Sequence, residues 1–287
     1  MIRQHLFLFL SLPLIFSILS CDDTPTVTDR DVPPAKEVIP DEDKEWQLVW
    51  QDEFDGDQLD PDKWSFQFGT GSDEGLTNWG NNERQYYTKR EENLFVEDGH
   101  LHIVAHRESF SGMQYTSARI RTRGKGDWMY GRFEIRAKLP QGQGIWPAIW
   151  MLPTKDNFQW PRDGEIDIME MVGHEPNIVH GTVHFGPDWQ HNKWEGGSYT
   201  LDEGIFADDF HIFAIEWKLN EILFSVDGNH YFTVNPALLT PESYPFNNTF
   251  HLIINLAVGG DWPGNPDSTT QFPQSLVVDY VRVYQLQ

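Results

Sequence analysis

The stretch Gly164-Glu165-Ile166-Asp167-Ile168-Met169-Glu170-Met171-Val172-Gly173 alternates acidic residues with strong strand formers. Such alternation is typical of a β-strand, whose successive side chains point to opposite faces. Strict alternation would align position 169 with the first two acids, yet the third acid comes one residue later, at Glu170. A β-bulge at residues 168–169 would absorb the extra residue and return Glu170 to the acidic face. We therefore predict that three carboxyl groups converge on one face.

The spacing of the two glutamates predicts a particular chemistry. Four pleats of a strand place their Cα atoms about 13 Å apart, and side chains that lean together leave the carboxyl groups about 5 Å apart. A retaining glycosidase needs this separation of roughly 5 to 5.5 Å, whereas an inverting one needs a wider gap. Asp167 lies between them, so mutual repulsion should raise the proton affinity of at least one acid. A solvated strand face or a calcium site is the alternative for three acids taken alone.

The neighbouring segments carry a family resemblance. The motif at residues 164–170 is preceded by Gly-Ile-Trp-Pro-Ala-Ile-Trp-Met-Leu-Pro at 144–153 and followed by His-Gly-Thr-Val-His-Phe at 180–185. From about Trp46 to the C-terminus the chain resembles glycoside hydrolase family sixteen, and within it the laminarinases, which are endo-β-1,3-glucanases. The extra residue, Met169, is another point of resemblance to the laminarinase branch, because licheninases lack a residue at this position.

The resemblance implies a role for each acid. By position, Glu165 would be the nucleophile, Asp167 would assist it, and Glu170 would be the acid/base. It also implies a β-jelly roll with a concave substrate cleft.

Aromatic and polar residues near the acids are candidates for sugar binding. Trp146 and Trp150 are four residues apart and should share a face, and the resemblance implies that they stack on glucose rings; Trp150 could instead be a core residue. Pro147 between them suggests an edge or a bend of the sheet. His184 shares a strand face with His180, which would place it beside the acids or a sugar hydroxyl.

Three further segments add candidates. The polar loop at residues 78–88 is similar to a laminarinase loop that binds sugars, which carries over Asn82 and Arg84. Asn255 alternates with apolar neighbours and should face the cleft. The turn-rich loop at residues 259–264 resembles a segment at the cleft edge and carries Trp262.

We expect no cofactor for catalysis. Two histidines near the acids could suggest zinc, but neither a third ligand nor a His-Glu-x-x-His pattern accompanies them. The resemblance implies a structural calcium site at Glu53, Gly99 and Asp279. Scattered oxygen ligands are enough for such a site, so the sequence itself supports it only weakly.

Short strands with regular punctuation fill the chain from Trp46 onward. The segments 46–50, 94–104, 132–139, 210–217, 222–226, 230–234, 250–258 and 275–284 read as strands, with Asp-Gly turns at 98–99 and 227–228. No long helical period appears. This pattern predicts an all-β fold, an antiparallel β-sandwich.

The composition limits the partners. The chain of 287 residues carries 44 acidic against 21 basic residues, a formal net charge of -23, which argues against nucleic acid and other polyanions. A neutral polysaccharide is the expected partner, and its 12 tryptophans offer flat surfaces for sugar rings. We expect a monomer.

The N-terminal residues predict export. Residues 1–20 combine a basic start with a short apolar run and read as a signal peptide, ending before Cys21, the single cysteine. This resembles a bacterial lipoprotein signal with Cys21 lipidated, which predicts the cell envelope or outer surface; an incidental Cys is the alternative. Residues 21–44 are acidic and proline-rich, as in a disordered tether, and residues 45–287 would form the catalytic domain.

These observations favour a retaining endo-glycosidase that hydrolyses internal β-1,3-glucosidic bonds of laminarin-type glucans. One alternative is a glycosidase of the same family on mixed-linkage glucan or an agar-type galactan. Another is a non-catalytic glycan-binding surface lipoprotein, because β-sandwiches also serve as lectins.

Overall fold

The computed structural model describes residues 44–287. The predicted signal peptide, Cys21 and all but the last residue of the predicted tether lie outside this range. Within it, short 3-10 segments occur at Ser72–Glu74, Asn78–Gly80 and Trp189–His191. No helix in the described range has the length and apolar character needed to cross a membrane.

β-Strands make up most of the regular structure of the described residues. In chain order they are β1 Trp46–Asp52, β2 Ser65–Phe66, β3 Gln85–Tyr87, β4 Leu94–Glu97, β5 His100–Phe110, β6 Met113–Ser117, β7 Arg119–Arg121, β8 Asp127–Trp128, β9 Gly131–Lys138, β10 Ile145–Pro153, β11 Glu165–Glu170, β12 Ile178–Phe185, β13 Lys193–Thr200, β14 His211–Lys218, β15 Glu221–Val226, β16 Asn229–Val234, β17 Phe250–Val258 and β18 Gln274–Leu286.

The strands form two sheets. The outer sheet has the order β16-β15-β14-β9-β18-β5-β6-β3, and β1 and β4 pair with β18 and β5. The cleft sheet has the order β13-β12-β11-β10-β17-β7-β2, with β8 also paired to β17. The pairing is antiparallel except between β3 and β6, which run parallel. The predicted antiparallel β-sandwich is therefore confirmed.

Each predicted strand is present, most with ends within about two residues of the pattern. The segment that carries Trp146, Pro147 and Trp150 is the nine-residue strand β10. Strand β13 was not anticipated, because its Gly-Gly-Ser centre at residues 196–198 has weak strand character.

The core lies between the sheets. On β12, Val179, Gly181, Val183 and Phe185 are buried while the intervening residues are partly exposed. A Cβ atom on Gly181 would come within 2.5 Å of Phe224 on β15, so the Phe224 ring packs directly against the backbone of β12.

The bulge in β11 is confirmed. Asp167 pairs with Thr182 of β12 and Glu170 pairs with His180, so three steps along β11 match two steps along β12. The extra residue lets both Ile168 and Met169 enter the core, with exposures of 2% and 0%. Glu170 consequently returns to the face that carries the other acids.

Pro147 does not lie at a sheet edge, one of the two positions that the sequence suggested, because β10 is a central strand of the cleft sheet. Its carbonyl accepts a hydrogen bond from Met171, just past the end of β11. The nitrogen of Pro147, which carries no hydrogen, points to the same side as this carbonyl. The proline is therefore tolerated, because β11 ends there and no ladder hydrogen bond is lost.

We predict that Gly181→Val lowers the free energy of unfolding by about 1–3 kcal/mol, the range for an overpacked core. The new side chain would collide with Phe224 and with the Tyr231 hydroxyl, which lies 2.4 Å from the Cβ position. Urea denaturation followed by tryptophan fluorescence measures the change. Thr182→Ala on the cleft face of the same strand is the control, and equal stability of the two variants would contradict this account of sheet packing.

Candidate active site

The concave face of the cleft sheet forms an open cleft with a volume of about 1120 Å³. Alternate residues of its strands point into the cleft, and their neighbours point into the core. The cleft-facing residues include Trp146, Ala148, Trp150 and Leu152 of β10; Glu165, Asp167 and Glu170 of β11; His180, Thr182 and His184 of β12; Trp194 of β13; His251, Asn255 and Ala257 of β17; and Arg119 and Arg121 of β7.

Glu165 begins β11 on the floor of the cleft. The indole N–H of Trp160 donates a hydrogen bond of 3.0 Å to its Oε2 atom. Burial raises the pKa of Glu165 to about 7, while the Trp160 hydrogen bond and the charge of Arg119 oppose the rise. Both opposing groups favour the ionised form, which is the form that a nucleophile requires.

Glu170 ends β11 and has an equivalent partner. The indole N–H of Trp146 donates a hydrogen bond of 3.0 Å to its Oε1 atom. Burial raises the pKa of Glu170 to about 7, and the charge of Glu165 adds to the rise. An ionised Glu165 therefore helps to keep the proton on Glu170, as general acid catalysis needs.

Asp167 is the most deeply buried of the three acids, with a side-chain exposure of 3%. Burial raises its pKa well above the usual range, and the charges of Glu165 and Glu170 raise it further. A hydrogen bond between Asp167 and Glu165 raises the pKa of the aspartate and lowers that of the glutamate. Both pKa changes are explained if a protonated Asp167 donates this hydrogen bond to an ionised Glu165.

His184 lies beside these acids, as the sequence predicted. Its Nε2 atom is 3.5 Å from Asp167 Oδ2 and 3.9 Å from Glu165 Oε1. Burial lowers the pKa of His184, which favours a neutral imidazole. In the described part of the chain, the ligand atoms of these three residues form the one group within 4.8 Å that could hold a metal ion.

Trp146, Trp150 and Asn255 all line the cleft. The indole N–H of Trp150 donates a 2.7 Å hydrogen bond to the Asn255 side chain. The guanidinium of Arg119 lies over the Trp150 ring at 4.6 Å. Trp150 is therefore a half-buried residue of the cleft wall rather than a core residue.

The structure brings Trp262 into the cleft but leaves two other predicted residues beside it. Trp262 is 43% exposed and packs edge-on against Trp146 at 5.6 Å. The Asn82 side chain donates to the carboxylate of Asp261. Asn82 and Arg84 are outside the cleft lining, which contains their neighbours Asn81 and Glu83 instead. Sugar binding by Asn82 and Arg84 stays a prediction.

The sequence reasoning missed several residues of the cleft wall. Trp160 and Trp189 pack together at 4.8 Å beside the acids, and Trp194 is 65% exposed on β13. Trp160 and Trp189 lie outside the strands, where no periodic pattern marks them, and Trp194 lies on β13, which the sequence pattern did not indicate. Arg119 and Arg121 were detectable, because alternation with Ile120 indicates a strand with a cationic face.

The proposed calcium ligands are engaged by arginines. Glu53 forms two hydrogen bonds of 2.7 Å with Arg282, and Asp279 is paired with Arg136. A calcium ion would have to displace both guanidinium groups, so this donor set does not fit the ion in its present arrangement. Calcium binding at Glu53, Gly99 and Asp279 stays a prediction.

Comparisons with known proteins agree with this geometry. The model of the family described as "Glycosyl hydrolases family 16" matches residues 81–281. A "Beta-glucanase" of Rhodothermus marinus is 50% identical over 252 residues, which cover 83% of this chain and 85% of the relative. "Glucan endo-1,3-beta-glucosidase A1" of Niallia circulans is 42% identical, and the match covers 84% of this chain but 38% of that longer protein.

A solved structure gives the same result. The catalytic domain of an endo-1,3-beta-glucanase (laminarinase) from Thermotoga petrophila RKU-1 superimposes with a TM-score of 0.79 at 47% identity. The match covers 85% of this chain and 99% of that domain. Because the family model and these relatives span most of the described residues, the chain belongs to glycoside hydrolase family 16.

Proposed function

We propose that this protein is a retaining endo-β-1,3-glucanase that hydrolyses internal bonds of laminarin-type glucans. The observation that carries the proposal is the bulged strand β11, which places Glu165, Asp167 and Glu170 together on the floor of an open cleft. The names of the relatives, a β-glucanase and endo-1,3-β-glucanases, support the substrate class. The names of two of these proteins, a glucan endo-1,3-beta-glucosidase and an endo-1,3-beta-glucanase, also support endo action.

The first step forms a glycosyl-enzyme. Ionised Glu165 attacks the anomeric carbon, and the C–O bond to the departing sugar breaks as Glu170 donates its proton to that oxygen. The Trp160 N–H and a protonated Asp167 hold the Glu165 carboxylate in position. Glu170 leaves this step ionised.

The second step returns the enzyme to its starting state. Glu170, now a base, removes a proton from water, and the resulting oxygen nucleophile attacks the anomeric carbon and releases Glu165. The Trp146 N–H stabilises Glu170 in its ionised form between the two steps. Two inversions at the same carbon give net retention, so the first product is the β anomer.

Localisation, anchoring and oligomeric state are proposals that depend on sequence. The basic and apolar start of the chain followed by Cys21 supports an exported lipoprotein anchored through that cysteine at the cell envelope or outer surface. The acidic segment that follows suits a tether between the anchor and the catalytic domain. We propose a monomer, because one chain supplies every catalytic group described above.

We predict that Glu165→Gln abolishes reducing-end release from laminarin, because the amide cannot form the glycosyl-enzyme. Glu170→Gln should slow laminarin hydrolysis by about 10²- to 10⁴-fold, the usual contribution of general acid–base catalysis. A dinitrophenyl β-glucoside has a leaving group that departs without acid catalysis, so added azide should restore its turnover by Glu170→Gln and give a β-glycosyl azide. Azide rescue of Glu165→Gln instead of Glu170→Gln would reverse the roles assigned to the two glutamates.

A wild-type protein that binds laminarin without cleaving it would support the alternative of a non-catalytic glycan-binding protein.

We predict a bell-shaped pH dependence of kcat/KM on laminarin, rising as Glu165 ionises and falling as Glu170 loses its proton. Trp160→Phe removes a donor to the Glu165 carboxylate, which raises the pKa of Glu165 and moves the acid limb to higher pH. Trp146→Phe removes the donor to the Glu170 carboxylate, which raises the pKa of Glu170 and moves the alkaline limb to higher pH. Each variant is the control for the other, and a shift of the opposite limb would refute the assignment.

We predict that EDTA leaves the initial rate on laminarin unchanged, since carboxyl groups carry out every proton transfer and bond change above. Reducing-end assays after dialysis measure the rate, and thermal unfolding of the same samples tests the calcium prediction separately. Activity that is lost with EDTA and restored by a divalent metal would instead indicate an ion held by Glu165, Asp167 and His184.

A further inference from the structure

One end of the cleft carries a polar group that the mechanism does not use. His251 on β17 pairs with Leu152 of β10, and Arg121 of β7 pairs with Ile253, two residues from His251. We call the region lined by Leu152, His251 and Arg121 the distal pocket. His251 is only 3% exposed, yet it belongs to the cleft lining.

The hydrogen bonds behind His251 determine where its proton lies. The Thr154 hydroxyl donates to Asp127 Oδ1 at 2.9 Å, which uses its one proton. Thr154 Oγ1 lies 3.0 Å from His251 Nδ1 and must therefore accept from it. Burial, and then the charges of Arg121 and Arg123, lower the pKa of His251 to about 3, so the ring is neutral. Nδ1 carries the proton, and Nε2 is a bare acceptor.

Two buried polar atoms in the distal pocket lack partners. His251 Nε2 and Arg121 Nε make no hydrogen bond within residues 44–287. One is an acceptor and the other a donor, and a buried polar atom without a hydrogen-bond partner destabilises the folded protein. Diagonal neighbours on one sheet face have Cα atoms about 7–8 Å apart, so a single hydroxyl group can accept from one side chain and donate to the other when both side chains turn their buried atoms toward the cleft.

The charges of the distal pocket favour a neutral ligand. Arg121 is paired with Glu74 at 3.0 Å, and Arg123 lies 3.9 Å from Asp156. An anion would have to compete with these carboxylates for the guanidinium groups. A hydroxyl group needs only the unpaired Nε–H and Nε2 atoms.

We infer that the distal pocket is a sugar-binding subsite in which one hydroxyl group of a glucan unit accepts a hydrogen bond from Arg121 and donates one to His251. The inference rests on the proposed glucanase function and deepens it. Glu165, on β11, is separated from His251 by β10, so the pocket lies about 10 Å from the nucleophile, two strand spacings away. It therefore holds a sugar beyond the one attacked and favours longer chains.

The test compares a β-1,3-linked gluco-oligosaccharide long enough to reach the distal pocket with one too short to do so. His251→Asn keeps a donor for Thr154 at the Nδ1 position and removes the Nε2 acceptor. His251→Gln is the matched control, because its amide oxygen can replace Nε2. Arg121→Lys keeps the charge near Glu74 and removes the Nε–H. For each variant, kcat/KM on both substrates and the thermal unfolding temperature are measured.

We expect His251→Asn and Arg121→Lys to lower the long-to-short ratio of kcat/KM about tenfold, the effect of one lost hydrogen bond. His251→Gln should keep the ratio within about threefold of wild type, since it retains an acceptor. An unchanged ratio in His251→Asn would overturn the inference, because the Nε2 acceptor would then make no contact with the longer sugar chain. An equal fall in both His251 variants would indicate a structural role and overturn the inference. Failure of the wild-type protein to cleave either substrate would instead refute the proposed function.

Discussion

The active site depends on the single extra residue of β11. Without the bulge, Glu170 would alternate into the core, and an unpaired carboxylate there is among the most costly groups to bury. With it, Ile168 and Met169 are both buried and Glu170 faces the cleft. The bulge is stabilised from below, because two consecutive apolar side chains pack between the sheets. The extra residue therefore has two effects: it returns Glu170 to the acidic face, and it adds an apolar side chain to the core.

The three acids differ in protonation because different groups surround them. Desolvation raises the pKa of each, and what separates them is the set of groups around each carboxyl. Arg119 and Trp160 favour the charged form of Glu165, while the deepest acid, Asp167, receives no lowering contribution. Proton sharing between neighbouring carboxyls then makes one ionised and one protonated group at the same pH. The catalytic pair thus results from unequal surroundings on one strand.

The sequence could predict the sandwich, the bulge and the acidic face because these depend on local patterns of period two. It predicted the positions of Trp146, His184 and Asn255 for the same reason. It failed for Trp160, which loops place beside Glu165, and for Pro147, whose central position is allowed only because β11 ends beside it. The partners of Glu53 and Asp279 could not be predicted either, since Arg282 and Arg136 reach them through contacts on the outer sheet. Long-range pairing is what local patterns cannot specify.

The charge of the chain and the contacts in the cleft act at different distances. A net charge of -23 repels polyanionic glycans before they reach the protein, so it selects neutral polymers as a class. Within the cleft, arginines are matched by acids or stacked on tryptophan, as Arg119 is between Trp79 and Trp150. The charge of Arg119 then lowers the pKa of Glu165 rather than attracting an anion. Selection among neutral glucans consequently falls to ring stacking and to hydroxyl-sized polar contacts along the cleft.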